Sequence, residues 1–179
     1  MRTAVNIAVF YAGWFASVLA AAQGFGWSAL AAGLAVVGLH LLIASHPAGE
    51  LKLILAAGAV GAVSEGLLVG FGFAHYAMAS SIPGAPPAWL IALWMAFATT
   101  MNVSLGWLKN HLLLAGVLGL VVAPASYYAG ERLGGMALSE PRALSLMAIG
   151  LVWSVAFPLL VVLARRCDRA GRNSRNLGP

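Results

Sequence analysis

Long apolar segments separated by turn residues are the feature that most restricts how this chain can fold. Six of them have the length of roughly 20 residues that a helix needs to cross a hydrocarbon core of about 30 Å. Hydrophobic residues make up 61% of the 179-residue chain, and no remaining stretch is long enough for a soluble domain. The sequence predicts an all-α polytopic membrane protein, a bundle of six transmembrane helices at about 4–22, 27–45, 51–74, 88–108, 111–130 and 143–164, with a basic tail at 165–179.

Basic residues predict how these segments are oriented, because Lys and Arg collect on the cytoplasmic side of a membrane protein. With a cytoplasmic N-terminus, Arg2, Lys52, Lys109 and the five arginines of the tail lie inside, and only Arg132 and Arg142 lie outside. This distribution predicts that both termini are cytoplasmic.

The first segment has a second interpretation, since Arg2, an apolar stretch and the alanines at 20–22 also fit a cleaved signal peptide. The stretch exceeds the usual apolar region of about 7–15 residues, and it contains Tyr11 and Trp14. We therefore expect an uncleaved membrane span.

Composition also excludes several classes of function. The net charge of +5 arises largely from the tail arginines, which suit anionic lipid headgroups beside a spanning helix and do not predict nucleic-acid binding. The single Cys167 excludes internal disulfides and cysteine metal clusters. The histidines lack the i, i+4 spacing of a helical metal site. We therefore expect no metal and no cofactor, and no catalytic residue is identified.

Small residues at intervals of four predict close helix packing, since lipid provides no hydrophobic drive for helices to associate. One such face lies on the first span and a second on the third. The face of the first span resembles the helix by which substrate-binding subunits of energy-coupling-factor vitamin transporters contact their scaffold protein, so it predicts either packing within the bundle or docking of a partner. The predicted packing residues are Ala12, Ala16, Ala20, Gly58, Ala62, Gly66 and Gly70.

Glu65 is the acidic residue farthest from any predicted membrane boundary, inside the apolar run from Leu53 to Phe73. A charge at this depth costs about 2.5–3.5 kcal/mol on insertion scales, and such residues face protein or water and mark function. Glu65 is predicted to bind a substrate amine or hydroxyl, or to carry a proton, with Ser64 as a neighbouring hydroxyl. The alternative is a structural carboxyl hydrogen-bonded to a neighbouring helix.

The fourth span holds the densest polar segment, in which Thr99, Asn102 and Gly106 share a helical face. Asn102 is expected to lie about 10 Å nearer the cytoplasm than Glu65, so that direct pairing would need helix tilt or a bridging water. In the fifth span, which also contains Tyr127, Pro124 is expected to free a backbone carbonyl around Leu120 that would line a cavity. These residues predict a cavity lined by Glu65, Asn102, Thr99 and Tyr127.

Three segments carry a resemblance to a known family: Gly13-Trp14-Phe15-Ala16, Phe97 to Leu108 and Ala123 to Gly134. Together they resemble a bacterial inner-membrane family catalogued as domain of unknown function family 2878, over nearly the whole chain. The resemblance implies a multi-pass protein of the bacterial inner membrane. Val103 and Gly106 stand where members often have a histidine and a basic residue. Family genes commonly neighbour cyclopropane-fatty-acid-synthase-like genes, which implies a lipid-related role by association.

Three functions remain open from the sequence. The first is binding or transport of a small amphipathic, lipid-derived molecule in an intramembrane cavity around Glu65. The second is an accessory enzyme of fatty-acyl modification of membrane lipids, with Glu65 as general acid or base, although the residues favour a protein that is not an enzyme. The third is a subunit that docks a transporter, an enzyme or a second copy of the chain. Membrane lipids are expected partners in each case.

Overall fold

The structure is a computed structural model that describes residues 2–80 and 82–176, with side chains described for 3–80 and 82–168. Within these residues, five helices are long and apolar enough to cross a membrane. The prediction of a helical multi-pass membrane protein is confirmed by the length and composition of these five helices. The six α-helices are α1 (Arg2–Ala22), α2 (Gly26–Ile43), α3 (Pro47–Gly70), α4 (Ala88–Ala98), α5 (Leu112–Arg132) and α6 (Arg142–Asn176).

The fourth predicted span is not a continuous helix. Helix α4 has only 11 residues, and turns at 99–105 separate it from a 3₁₀ helix at Gly106–Asn110. The Thr99 and Thr100 hydroxyls donate to the carbonyls of Ala96 and Phe97, and such local bonds compete with the regular helix. The expectation that Thr99, Asn102 and Gly106 share one helical face is therefore wrong.

The sixth helix continues beyond its predicted end. It runs to Asn176, through the arginines assigned to a tail beginning at residue 165. Arginine is a good helix former, so a basic sequence does not by itself end a helix.

Two short strands join the ends of α3 and α5, a feature that the all-α prediction missed. Strand β1 (Ala74–Tyr76) follows α3, strand β2 (Met136–Leu138) follows α5, and they pair antiparallel with His75 opposite Ala137. The C-terminal ends of α3 and α5 therefore lie on the same side of the bundle. This pairing also fixes Tyr76 beside the end of α3.

Helices α5 and α6 pack antiparallel through two equivalent contacts between a proline and a glycine. Proline has no N–H, so the carbonyl four residues earlier loses its helical donor. In α5, Pro124 frees the carbonyl of Leu120, and a methyl group on Gly150 of α6 would lie 2.7 Å from that oxygen. In α6, Pro158 frees the carbonyl of Ser154, and a methyl on Gly116 would lie 3.2 Å from it.

The two helices have the same spacing of these residues. In each helix, the glycine lies four residues before the residue whose carbonyl is freed, and the proline lies four residues after it. The glycines thus let each helix approach the exposed carbonyl of the other closely enough for Cα–H···O contacts.

The predicted small-residue faces are only partly used for packing within the chain. On α1, Ala12 and Ala16 are exposed, and the buried small residues are Gly13, Ser17 and Ala21. The prediction that Ala12 and Ala16 pack inside this bundle is wrong, because the true contact face of α1 is rotated by about one residue. Docking of a partner by Ala12 and Ala16 remains a prediction.

On α3 the outcome is also mixed. Gly58 is buried, and a methyl there would lie 3.1 Å from Met95 of α4. Gly66 is half-buried near the carbonyl of Gly84. Ala62 and Gly70 are exposed, so they do not pack against the bundle.

Candidate functional site around Glu65

Glu65 lies on the face of α3 that points into the bundle. The side chains of Ser64 and Leu68 are buried on the same helix, and Glu65 itself is 0% exposed. The residues that share this helical face with Glu65 are small or apolar. They orient the face toward the interior of the bundle, and Glu65 is buried with them. An inward carboxyl needs protein partners, because no water reaches it.

Three neutral donors from three other elements surround the carboxyl. The Tyr76 hydroxyl of β1 donates to Oε2, and the Tyr127 hydroxyl of α5 donates to Oε1. The indole Nε1–H of Trp94 in α4 donates to Oε1 over 2.8 Å. Burial raises the pKa of Tyr76, which lies in strand β1 outside the helices, well above its ordinary value, so that this phenol stays protonated. Both carboxyl oxygens are thereby satisfied.

A glycine makes room for one of these donors. The Trp94 ring lies where a methyl on Gly61 would stand, since that methyl would overlap Cβ and Cγ of the tryptophan. Gly61 precedes Glu65 by one helical turn, so the ring crosses α3 and reaches the carboxyl with its N–H edge. Gly61 therefore leaves space beside Glu65, and an aromatic ring fills that space.

A second layer of aromatic side chains supports the first. Trp153 of α6 stacks on Trp94 with ring centroids 4.2 Å apart, and its Nε1–H donates to the Tyr127 hydroxyl over 3.1 Å. Phe97 packs edge-on against Trp153 at 5.4 Å. We call Glu65, Tyr76, Trp94, Tyr127 and Trp153 the Glu65 cluster. Every element of it except β1 is a helix of the bundle.

Exposure differs within the Glu65 cluster. Tyr76 and Trp94 are buried at 8% and 2% exposure, whereas Tyr127 and Trp153 are half-buried. The side of the cluster formed by α5 and α6 is therefore the one nearest the exterior of the protein.

Asn102 and Thr99 belong to a different polar group. Asn102 Nδ2 donates to Glu50 Oε1 over 2.8 Å, and the other Glu50 oxygen lies 3.0 Å from His40 Nε2. The backbone carbonyl of Thr99 accepts from Asn6 of α1, and Ser104 donates to Asn6. The turns that interrupt the fourth span thus bond to the first turn of α3 and to α1.

The structure therefore divides the predicted cavity residues. It brings Glu65 and Tyr127 together and places Ser64 beside Glu65 without a bond to the carboxyl. Asn102 bonds to Glu50 instead, and Thr99 bonds to Ala96 and to Asn6 of α1. Tyr76 and Trp94 were missed as partners of Glu65, and Trp153 was missed as the residue that bonds to Tyr127. The available signal was the depth of the tryptophans, since a buried indole N–H needs an acceptor.

A groove of 290 Å³ lies elsewhere, between α5 and α6. It is lined by apolar side chains, Gly116 and Ser154, and by none of the predicted ligand-binding residues. Among the described residues, no group of three or more His, Cys, Asp or Glu side chains is arranged to hold a metal ion.

A family model of proteins of unknown function, DUF2878, matches residues 3–159 of the chain. The chain belongs to the DUF2878 family. The matched region contains all five residues of the Glu65 cluster, which places the cluster inside the DUF2878 domain. No curated protein and no solved structure matches the chain.

Proposed function

We propose that this DUF2878 protein binds a small amphipathic molecule at the Glu65 cluster and carries that molecule, or a proton, within the membrane. The observation that supports the proposal is a fully buried carboxyl whose partners are all neutral hydrogen-bond donors. A buried carboxyl costs several kcal/mol in a membrane compared with an apolar residue. A packing role alone would be met at lower free energy by an apolar residue at position 65 together with apolar partners in place of its hydroxyl donors.

The half-buried position of Tyr127 and Trp153 supports access from the α5–α6 side. These side chains would move to admit the polar end of the ligand, while the apolar part remains against the rings and the lipid. Glu65 would bind the polar end, and Tyr127 would orient it.

The hydrogen bonds also support a proton-carrying role for Glu65. An indole N–H only donates, so Trp94 requires Oε1 to accept in every state. A phenol both donates and accepts, so the bond between Tyr76 and Oε2 can reverse when Oε2 takes a proton. The carboxyl can thus gain or lose a proton with only a rotation of the Tyr76 hydroxyl.

Six crossings with both termini in the cytoplasm form part of the proposal. Because β1 pairs with β2, the ends of α3 and α5 lie on one side, and the chain between α3 and the start of α5 must return to the other. Helix α4, the turns at 99–105 and the 3₁₀ helix would make that return. Non-helical backbone at membrane depth is tolerated where protein buries it. The membrane would be the bacterial inner membrane, and the molecule lipid-derived.

Native mass spectrometry of the full chain, purified in a mild detergent, tests the proposal. The wild-type protein is expected to retain a small molecule that Glu65→Gln loses. Tyr128→Phe is the matched control, because Tyr128 is exposed and lies next to Tyr127, and it should retain the molecule. Equal retention by the wild type and Glu65→Gln would contradict the proposal.

Docking of a protein partner is a second candidate, favoured by the outward position of Ala12 and Ala16 on α1. Small side chains on a lipid-facing surface allow another helix to approach closely. Replacing both alanines with leucine should leave the fold intact and abolish co-purification of a stoichiometric partner or a second copy. Unchanged co-purification would remove this face from consideration.

A further inference from the structure

Among the described side chains, Glu65 differs from the other acidic residues because no basic group lies within 4.0 Å of its carboxyl. The chain has five acidic residues, and the other four each lie within 4.0 Å of a described basic group. Glu65 is the most buried of the five, and the hydrogen bonds described for its carboxyl come from phenol and indole groups. The four pairs are Glu50 with His40, Glu131 with Arg142, Glu140 with Arg142, and Asp168 with Lys109.

The geometry of the donors allows a cation to complete the site. Trp94 would keep its bond to Oε1, because an indole N–H has no other role. Tyr76 and Tyr127 could instead turn their oxygen lone pairs toward a bound cation, since a phenol accepts as well as donates. The carboxylate and the two phenol oxygens together would then provide acceptors for the N–H groups of an ammonium.

The walls of the site favour an organic cation over a metal ion. Trp153 presents its ring beside Tyr127 and Phe97, with centroids 6.5 and 5.4 Å away. Aromatic faces attract organic cations by about 0.5–2 kcal/mol and contact their apolar groups. Hard metal ions need about six oxygen ligands, whereas this site has one carboxylate and two phenols, and an indole N–H repels a metal.

We propose that the molecule bound at Glu65 is a small alkylammonium compound, with its nitrogen against the carboxylate and its alkyl part against the rings of Tyr127 and Trp153. This inference rests on the proposed function, because it names the class of ligand for the same site. Binding would supply the positive charge that Glu131, Glu140 and Asp168 receive from an arginine or a lysine.

Three probes with six carbon atoms each separate charge from hydrophobicity: hexylammonium, hexanol and hexanoate. Binding to the full chain in detergent is measured by intrinsic tryptophan fluorescence, since Trp94 and Trp153 form the site. Hexylammonium should bind saturably and at least about tenfold more tightly than the other two, equivalent to about 1.4 kcal/mol. Glu65→Gln should abolish this preference, and Tyr128→Phe, in the same detergent, should preserve it.

The outcomes distinguish this inference from the proposed function. If hexanol binds as tightly as hexylammonium and Glu65→Gln weakens both, the ligand class is wrong and the proposed function stands. If the wild type binds none of the three saturably, both are overturned. Should Glu65→Gln fail to fold, Tyr127→Phe replaces it, with hexylammonium expected to bind more weakly, and the ranking of the three probes on the wild type still decides the inference.

Discussion

Glu50 and Glu65 lie on the same helix, about 22 Å apart along its axis at the α-helical rise of 1.5 Å per residue, yet their surroundings are opposite in kind. Glu50 occupies the first turn of α3, is 14% exposed, and contacts His40 and Asn102. Glu65 is enclosed by aromatic donors and contacts no cation among the described residues.

The difference shows how a membrane helix can hold an acid in two ways. At its N-terminus, the helix dipole, a basic side chain and nearby water all stabilise a negative charge. In mid-helix, neutral donors from neighbouring helices and from strand β1 surround the carboxyl instead. The first arrangement suits an anchor at the end of a helix. The second leaves the carboxyl without a cation among the described residues, as a site for a ligand or a proton requires.

The largest effect should come from removing the acceptor at Glu65. Glu65→Leu leaves three buried donors without a partner, so we expect a loss of at least about 3 kcal/mol of unfolding free energy, at about 1–3 kcal/mol for each donor. Glu65→Gln should lose only about 1 kcal/mol, since its oxygen accepts from Trp94 and Tyr127 and its NH₂ donates to Tyr76. Unfolding by SDS titration in mixed micelles measures both, and equal losses would contradict the hydrogen-bond assignment.

Next in size is the close packing between α3 and α4 that positions Trp94. Gly61→Ala forces a methyl into the Trp94 ring, and overpacking of this kind costs about 1–3 kcal/mol. The control is Gly38→Ala in α2, which meets nothing within 4 Å and should be neutral or stabilise by up to about 1 kcal/mol through helix propensity. Thermal unfolding compares the two variants, and similar melting temperatures would show that Trp94 is not held by Gly61.

Removal of a single hydroxyl should have a smaller effect. Tyr127→Phe removes one donor to Glu65 and the acceptor of Trp153, with an expected loss of about 1–2 kcal/mol. Tyr128→Phe changes an exposed neighbour and should change stability by less than about 0.5 kcal/mol. The same SDS titration tests this pair. If Tyr128→Phe lost as much unfolding free energy as Tyr127→Phe, the loss would come from a general disturbance of α5 rather than from the hydrogen bonds of the Glu65 cluster.

The smallest effect is expected on the Glu50 side. Asn102→Ala removes the donor to Glu50 Oε1, but the partly exposed carboxylate can bond to water instead. The expected loss is below about 1 kcal/mol, and ligand binding at Glu65 should be unchanged. A loss of unfolding free energy larger than that of Tyr127→Phe, measured under the same conditions, would show that the hydrogen bonds of Glu50 stabilise the fold more than those of Glu65.

Much of the cluster could not be found from the sequence. Tyr127 was predicted to line a cavity with Glu65 because its segment contains a proline that frees a backbone carbonyl. Trp94 lies 29 residues beyond Glu65 and reaches it only because Gly61 lets α4 approach α3. Tyr76 depends on a strand pairing with Met136, 60 residues further along the chain. Neither strand has a strong local signal, since each is only three residues long.

By itself, the sequence determined that the chain is a helical membrane protein, where its long helices lie and that an acid is buried in one of them. These conclusions follow from length and hydrophobicity, which act locally along the chain. Only the tertiary structure decided which donors meet Glu65, that Asn102 bonds to Glu50, and that the fourth apolar stretch is interrupted. Those outcomes depend on contacts between distant helices, whose rotation about their axes is set by packing rather than by composition.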